Sequence, residues 1–258
     1  MRQSELKEFL DSKYNQYCDR IFIENDPIQI PHQFSKPEDI EIAGFLTAVI
    51  AWGQRTTIIR NANQLMQWME FAPHDFMLNH QPGDLKPFKS FTHRTFNGID
   101  SDFFVRRLSQ VYKEYSNLED FFNYGHTANT DMATRISDFK RRFFMVPHPI
   151  RSEKHLADPL RNSAAKRLNM FFRWMVRQDP ASVDFGVWRN TSPALLMCPL
   201  DVHTAKISRG LGLLQRKQND WKAVEELTQN LREFDKDDPV KYDISLFALG
   251  AMEGFLPE

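Results

Sequence analysis

Apolar side chains recur every third or fourth residue along most of this chain, and the strict alternation that marks a half-buried strand is not seen. From Ser4 to Phe22 the positions Leu6, Phe9, Leu10, Tyr14, Tyr17 and Ile21 outline an opening amphipathic helix. Ser35 with Glu38 reads as a capping box around Pro37, and the run Ile40 to Trp52 behind it is apolar nearly all round, so it belongs in the middle of a fold. Gly53 breaks that run, and a second helical pattern covers Ile58 to Met69. The prolines, histidines and Gly83 of the stretch Phe71 to Asn97 read as a long irregular connection.

Asp100 is placed to cap a helix whose stripe is Phe104, Leu108, Val111, Tyr112 and Tyr115. Ser116 and Glu119 start a short helix that ends at Gly125, and Met132, Ile136, Phe139 and Phe143 mark another. Leu168, Phe171, Phe172, Met175 and Val176 give a helix stopped by Asp179 and Pro180. The apolar run Ala194 to Cys198 ends at Pro199, and Asp201 then sits where an N-cap or first-turn acid sits. In the helix that follows, Val202, Ala205, Ile207, Leu211 and Leu213 form an apolar face while His203, Lys206 and Arg209 lie on a polar and basic one, and Gly210 and Gly212 break it. Trp221, Val224, Leu227 and Leu231 mark a further helix; Asp238 with Pro239 caps the last, which packs through Val240, Ile244, Phe247, Ala248 and Ala251. The fold predicted is all-α, a single domain over 1–258 in two lobes with a cleft between them: one from about 36–150, the other from the terminal segments plus about 151–258.

Composition narrows the function classes. A chain of 258 residues with 41% hydrophobic side chains can bury a substantial core, and no apolar run is long enough to cross a bilayer. The first ten residues lack the apolar core of a signal peptide, so the expectation is a cytoplasmic protein with no membrane partner. Two cysteines, Cys18 and Cys198, are too few for a disulfide framework or an iron–sulfur cluster, and no cofactor or metal is expected. A net charge of −1 says little about partners, yet between Arg135 and Arg189 basic residues outnumber acidic ones by roughly two to one. A phosphate backbone needs such a footprint, although a basic run is more often a solvated helix face. The abundant phenylalanines are read as aromatic packing between helices.

The order Pro199, Leu200, Asp201, Val202, His203, then a basic helix ending in Leu211, Gly212 and Leu213, resembles the most diagnostic segment of the helix-hairpin-helix (HhH-GPD) DNA glycosylases. Within that superfamily the chain looks like a bacterial branch nearest the archaeal 8-oxoguanine DNA glycosylases. The resemblance implies a DNA base-excision enzyme, acting as a monomer on double-stranded DNA with a damaged base. Oxidised purine is the family-level expectation for that base. Asp201 would be the catalytic carboxylate, and Lys166 the amine that attacks the sugar in the branch with abasic-site lyase activity. Gln54 would enter the space left by the extruded base, and Trp52, Trp174 and Trp188 are candidate walls of the base pocket. Asn162, Ser163 and their neighbours would offer backbone amides to a DNA phosphate, with Ser163 capping the Lys166 helix. Arg161, Arg167, Arg173, Arg177 and His203 are the further DNA-binding candidates, although Arg173 and Arg177 are better explained by pairing with acids such as Asp179 or Asp184. Two departures stand out: ADPLRNSAAKR has no Gly-x-Gly turn, and the segment VDFGVWRN lengthens the distance from Lys166 to Asp201.

Two rival readings come from other classes. A non-catalytic DNA-binding or damage-sensing protein would keep the fold without turnover, as the missing hairpin glycines suggest. His32, His74, Asp75 and Asp131 occur in the order of an HD-type metal phosphohydrolase, but Pro73 argues against His74 and Asp75 lying in a ligand helix.

Overall fold

The structure is a computed structural model that describes residues 2–24 and 26–255. It is predominantly helical, with one two-stranded hairpin, and its contacts divide the chain into two compact units. The terminal unit comprises Met1–Glu24, Asp131–Ala133 and Asp158–Glu258; the middle unit comprises Asn25–Thr130 and Thr134–Ala157. Among the described residues no helix is long and apolar enough to cross a membrane.

In the chain's first stretch, α1 (Gln3–Tyr17) closes where the amide of Cys18 donates to Tyr14, and α2 (Arg20–Glu24) is separate, so the single helix expected to Phe22 is two. The middle unit is built around α3 (Pro37–Ile50), in which every residue from Ile40 to Ile50 is buried, as its all-round apolar pattern requires. The capping box expected at Ser35 does not form: Lys36 is the N-cap and Pro37 takes the first helical position, where its missing N–H is harmless. Around α3 lie α4 (Arg55–Trp68), α5 (Pro73–Asn79), α6 (Gly98–Glu114), α7 (Leu118–Asn123) and α8 (Met132–Phe143), the last beginning in the terminal unit's share of the chain. Phe45 of α3 meets Phe139 and Phe143 of α8 at 5.8 and 5.7 Å between ring centroids, and Phe104 of α6 meets Phe143 at 5.1 Å. The phenylalanines therefore do pack helices together.

The stretch from Phe71 to Asn97 is more regular than its composition suggested. It holds α5, a 3-10 turn at Pro87–Ser90, and a hairpin pairing β1 (Thr92–His93) with β2 (Phe96–Asn97). Elements this short cannot repeat a period, which is why the pattern missed them. Asn97, not Asp100, is the N-cap of α6; Asp100 stands three residues in and closes the box by accepting from the Asn97 amide at 2.9 Å. Asn117 likewise caps α7 in place of Ser116.

In the terminal unit the remaining helices are α9 (Lys166–Val176), α10 (Val202–Gly210), α11 (Trp221–Arg232) and α12 (Tyr242–Ala251). α12 is buried on nearly every side and packs on α1 and α10. It starts at Tyr242, after a 3-10 turn at Pro239–Lys241 that takes up the expected Asp238 cap.

Candidate functional site

Lys166 is brought to its position by a turn built without glycine. Asp158 caps a 3-10 turn at Pro159–Arg161, accepting from the Leu160 amide at 3.1 Å. Asn162 follows at φ 63° and Ala165 at φ 47°, so two residues with side chains adopt the left-handed backbone that glycine usually supplies. Asn162 is held there from α11: its Nδ2 donates to Asp220 Oδ2 at 3.1 Å, and Ser163 bridges to Asp220. Arg216 donates to the same Asp220 carboxylate, whose pKa is driven far below the ordinary range, first by that bond. The cap of α9 is Ala165 rather than Ser163, whose hydroxyl instead accepts from the Ala165 amide at 3.4 Å. Lys166 takes the first helical position, half-buried, with Nζ 3.4 Å from Met170 Sδ. Among the described residues no carboxylate stands within salt-bridge distance of it.

Asp201 caps α10, and both capping bonds, from the His203 and Thr204 amides at 2.9 Å, fall on Oδ1. The ordinary capping role is thus filled by one oxygen, and Oδ2 of this half-buried side chain is left to accept from elsewhere. Lys166 and Asp201, far apart in sequence, both act on one buried group, the carboxyl of Asp243 on α12. Burial pushes Asp243 up to about 6 against the lowering pull of Arg173; the Asp201 carboxylate adds to the rise and the Lys166 ammonium opposes it. Arg173 Nη1 donates to Asp243 Oδ2 at 2.6 Å, and the Cys198 thiol lies 4.0 Å from Oδ1. Burial and Asp243 push that thiol well above its usual value, so Cys198 is an inert core side chain.

Several expected site residues are corrected. Arg173, 3% exposed, spans Asp184 and Asp243; Arg177, 1% exposed, donates to Asp184, to Asp238 at 2.8 Å and to the Tyr14 hydroxyl. Their guanidinium groups are enclosed and paired within the unit, so they do not reach a DNA phosphate. Asp184 is the partner foreseen, but Asp179 is not: its oxygens take the amides of Ala181, Val183 and Asp184. Trp174 and Trp188 are core residues rather than pocket walls. Trp174 is fully buried, and Trp188 packs against Phe171 and Phe172 at 5.5 and 5.8 Å, because these large rings supply much of the apolar interior around α9. Arg161 and His203 are exposed; Arg161 lies 3.7 Å from Asp158. Arg167 is half-buried, and burial lowers its guanidinium to about 10.

Trp52 and Gln54 belong to the middle unit. The half-buried Trp52 accepts at its carbonyl from His93 Nε2 at 3.0 Å, and its ring stacks on His155 with centroids 6.0 Å apart. Gly53 follows at φ 106°, so close to Arg94 that a β-carbon there would lie 3.0 Å from the guanidinium. Gln54 is exposed at the start of α4, where its side chain makes no capping bond.

The metal phosphohydrolase reading does not survive. His74 and Asp75 do lie in a helix, contrary to the expectation from Pro73, but His74 Nδ1 accepts from Lys36 at 2.7 Å and Asp75 accepts from Asn79. Among the described residues no three His, Cys, Asp or Glu side chains converge as a metal would require.

The residues missed by the sequence reading are Asp243 and Asn169. Asp243 is the one charge in the apolar helix YDISLFALGA, a signal of a buried, paired acid. Asn169 interrupts the apolar face of α9; it is 1% exposed, its Nδ2 donates to the Ala164 carbonyl at 3.1 Å, and its Oδ1 has no partner.

No curated protein and no solved structure matches this chain. A family model described as protein of unknown function (DUF2400) matches residues 26–252, and by that span the chain belongs to this family.

Proposed function

We propose that the protein is a DNA base-excision glycosylase with associated abasic-site lyase activity, in which Lys166 is the nucleophile and Asp201 its acid–base partner. What supports this reading is placement: a half-buried lysine opens α9 and a half-buried carboxylate caps α10, and both helices meet α12, α9 through the Arg173–Asp243 pair and α10 by direct packing. The amine rests on a thioether rather than in an ion pair, and the carboxylate keeps one oxygen open. The finer fold assignment, a helix-hairpin-helix glycosylase architecture, belongs to the same proposal.

The chemistry follows from those two groups. After the Lys166 ammonium gives one proton to solvent, the lone pair of its nitrogen forms a bond to the sugar C1′ while the glycosidic C1′–N bond breaks and its electron pair leaves with the base. Asp201 Oδ2 takes one of the two amine protons and passes it to the departing base. The C1′–O4′ bond then opens, O4′ takes a solvent proton, and the nitrogen lone pair closes a C1′=N bond that carries the positive charge. Asp201 stabilises this charge and the sugar cation that precedes it. Arg161, Arg167, Asn162, Ser163 and His203 remain the candidates for holding phosphate beside this site.

Borohydride reduction tests the proposal. With duplex containing an abasic site or 8-oxoguanine, hydride adds to the C1′=N carbon and leaves a permanent protein–DNA adduct, which K166A loses. Salt-sensitive duplex binding with no adduct would overturn the enzyme reading in favour of a binding module.

A further inference from the structure

We propose that Asn169 is a positioning residue for Lys166: its side-chain oxygen holds a hydrogen of the amine so that the nitrogen lone pair faces the sugar carbon. The inference rests on the reading of Lys166 as the nucleophile. The Ala164 carbonyl fixes which way the Asn169 amide points, because only Nδ2 can donate to it, so Oδ1 is the atom left over. A buried amide oxygen with no donor is destabilising, and such an atom in the interior calls for a partner.

The geometry of α9 names that partner. Side chains in a helix lean toward its N-terminus, and the bond to Ala164 draws Asn169 back toward the turn that carries Lys166. Residues three apart share a helix face, which makes Lys166 and Asn169 neighbours. Arg173, one turn further on, is directed to Asp184 and Asp243. The Lys166 amine now rests on the sulfur of Met170, a weaker acceptor than an amide oxygen. Rotation of the lysine side chain transfers an N–H from that sulfur to Oδ1. Once the nitrogen is bonded to C1′ it retains a single hydrogen, and Oδ1 accepts it and opposes the positive charge. The charged groups that interact with the buried Asp243 of α12 are Arg173 and Lys166 on α9 and Asp201 at the start of α10.

The test measures the rate of borohydride-trapped adduct on abasic duplex across pH for the wild type, N169L and N169D, with duplex affinity and urea unfolding recorded for each. N169L fills the site with an apolar group of similar shape and is expected to slow adduct formation by about 10- to 100-fold at unchanged duplex affinity. N169D keeps an oxygen and adds a negative charge beside the amine; it is expected to form adduct, with its pH–rate profile displaced to higher pH. Wild-type rates in a folded N169L overturn the inference and leave Lys166 as the nucleophile. No adduct in the wild type overturns both. Should N169L lose its fold, N169D alone decides, and a profile coincident with that of the wild type overturns the inference.

Discussion

The guanidinium of Arg173 and the carboxyl of Asp243 meet at 2.6 Å inside the terminal unit, with both side chains enclosed. This pair links α9, which carries Lys166, to α12, another largely buried helix of that unit. It also separates two roles that a basic stripe on a helix leaves confused in sequence, since the enclosed Arg173 holds helices together while Lys166 stays partly exposed.

R173M is therefore expected to lower stability by about 3–5 kcal/mol, because it strands the buried Asp243 without its guanidinium partner, while Asp184 keeps Arg177. Urea unfolding measures this. Unchanged stability with weakened duplex binding would return Arg173 to the DNA-contacting surface.

Stability should also fall across a defined pH window. Asp243 sits at about 6 in the folded chain against an ordinary 3.8. Between those values the folded state keeps a proton that the unfolded state has released, so this group's contribution is complete below the ordinary value and is lost as pH rises through about 6. The difference in unfolding free energy between wild type and D243N, followed through this window, should change with that slope. A pH-independent difference would show that Asp243 does not hold the proton.

D201N is expected to abolish base release while duplex affinity stays within about tenfold, since the carboxylate is asked to handle charge rather than grip phosphate. Asparagine also caps helices well, so the variant should unfold within about 0.5 kcal/mol of the wild type, whereas D201A should lose about 1 kcal/mol with its cap. Retained base release in D201N would remove Asp201 from the mechanism.

The turn before α9 gives a backbone test. Ala165 is buried at φ 47°, so A165V should be destabilised by about 2 kcal/mol or more, because a β-branched side chain resists the left-handed region, whereas A165G should be neutral or more stable by up to about 1 kcal/mol. Both are read from thermal or urea unfolding. Equal stability of A165V and the wild type would mean that this turn is not left-handed in solution.

In the middle unit, a β-carbon on Gly98 would lie 1.8 Å from the Lys89 carbonyl oxygen, which is backbone and cannot rotate away. G98A should consequently lose about 2 kcal/mol or more in urea unfolding. A fully stable G98A would show that the 3-10 turn before the hairpin does not press on α6.

The sequence by itself determined the helical class, the fully buried α3, the Asp201 cap and the phenylalanine packing, because each rests on contacts within one or two turns or on a face that must leave water. Lys166 at the start of its helix was legible for the same reason, although the Ser163 cap was not, since the left-handed Ala165 intervenes. Tertiary structure alone decided which acids Arg173 and Arg177 turn inward to meet, that Trp174 and Trp188 are core, and that Asp243 is enclosed against Arg173. An arginine on a helix can bind phosphate or close a buried ion pair with the same local pattern, and the choice is made by distant chain segments that bring Asp184, Asp238 and Asp243 to it.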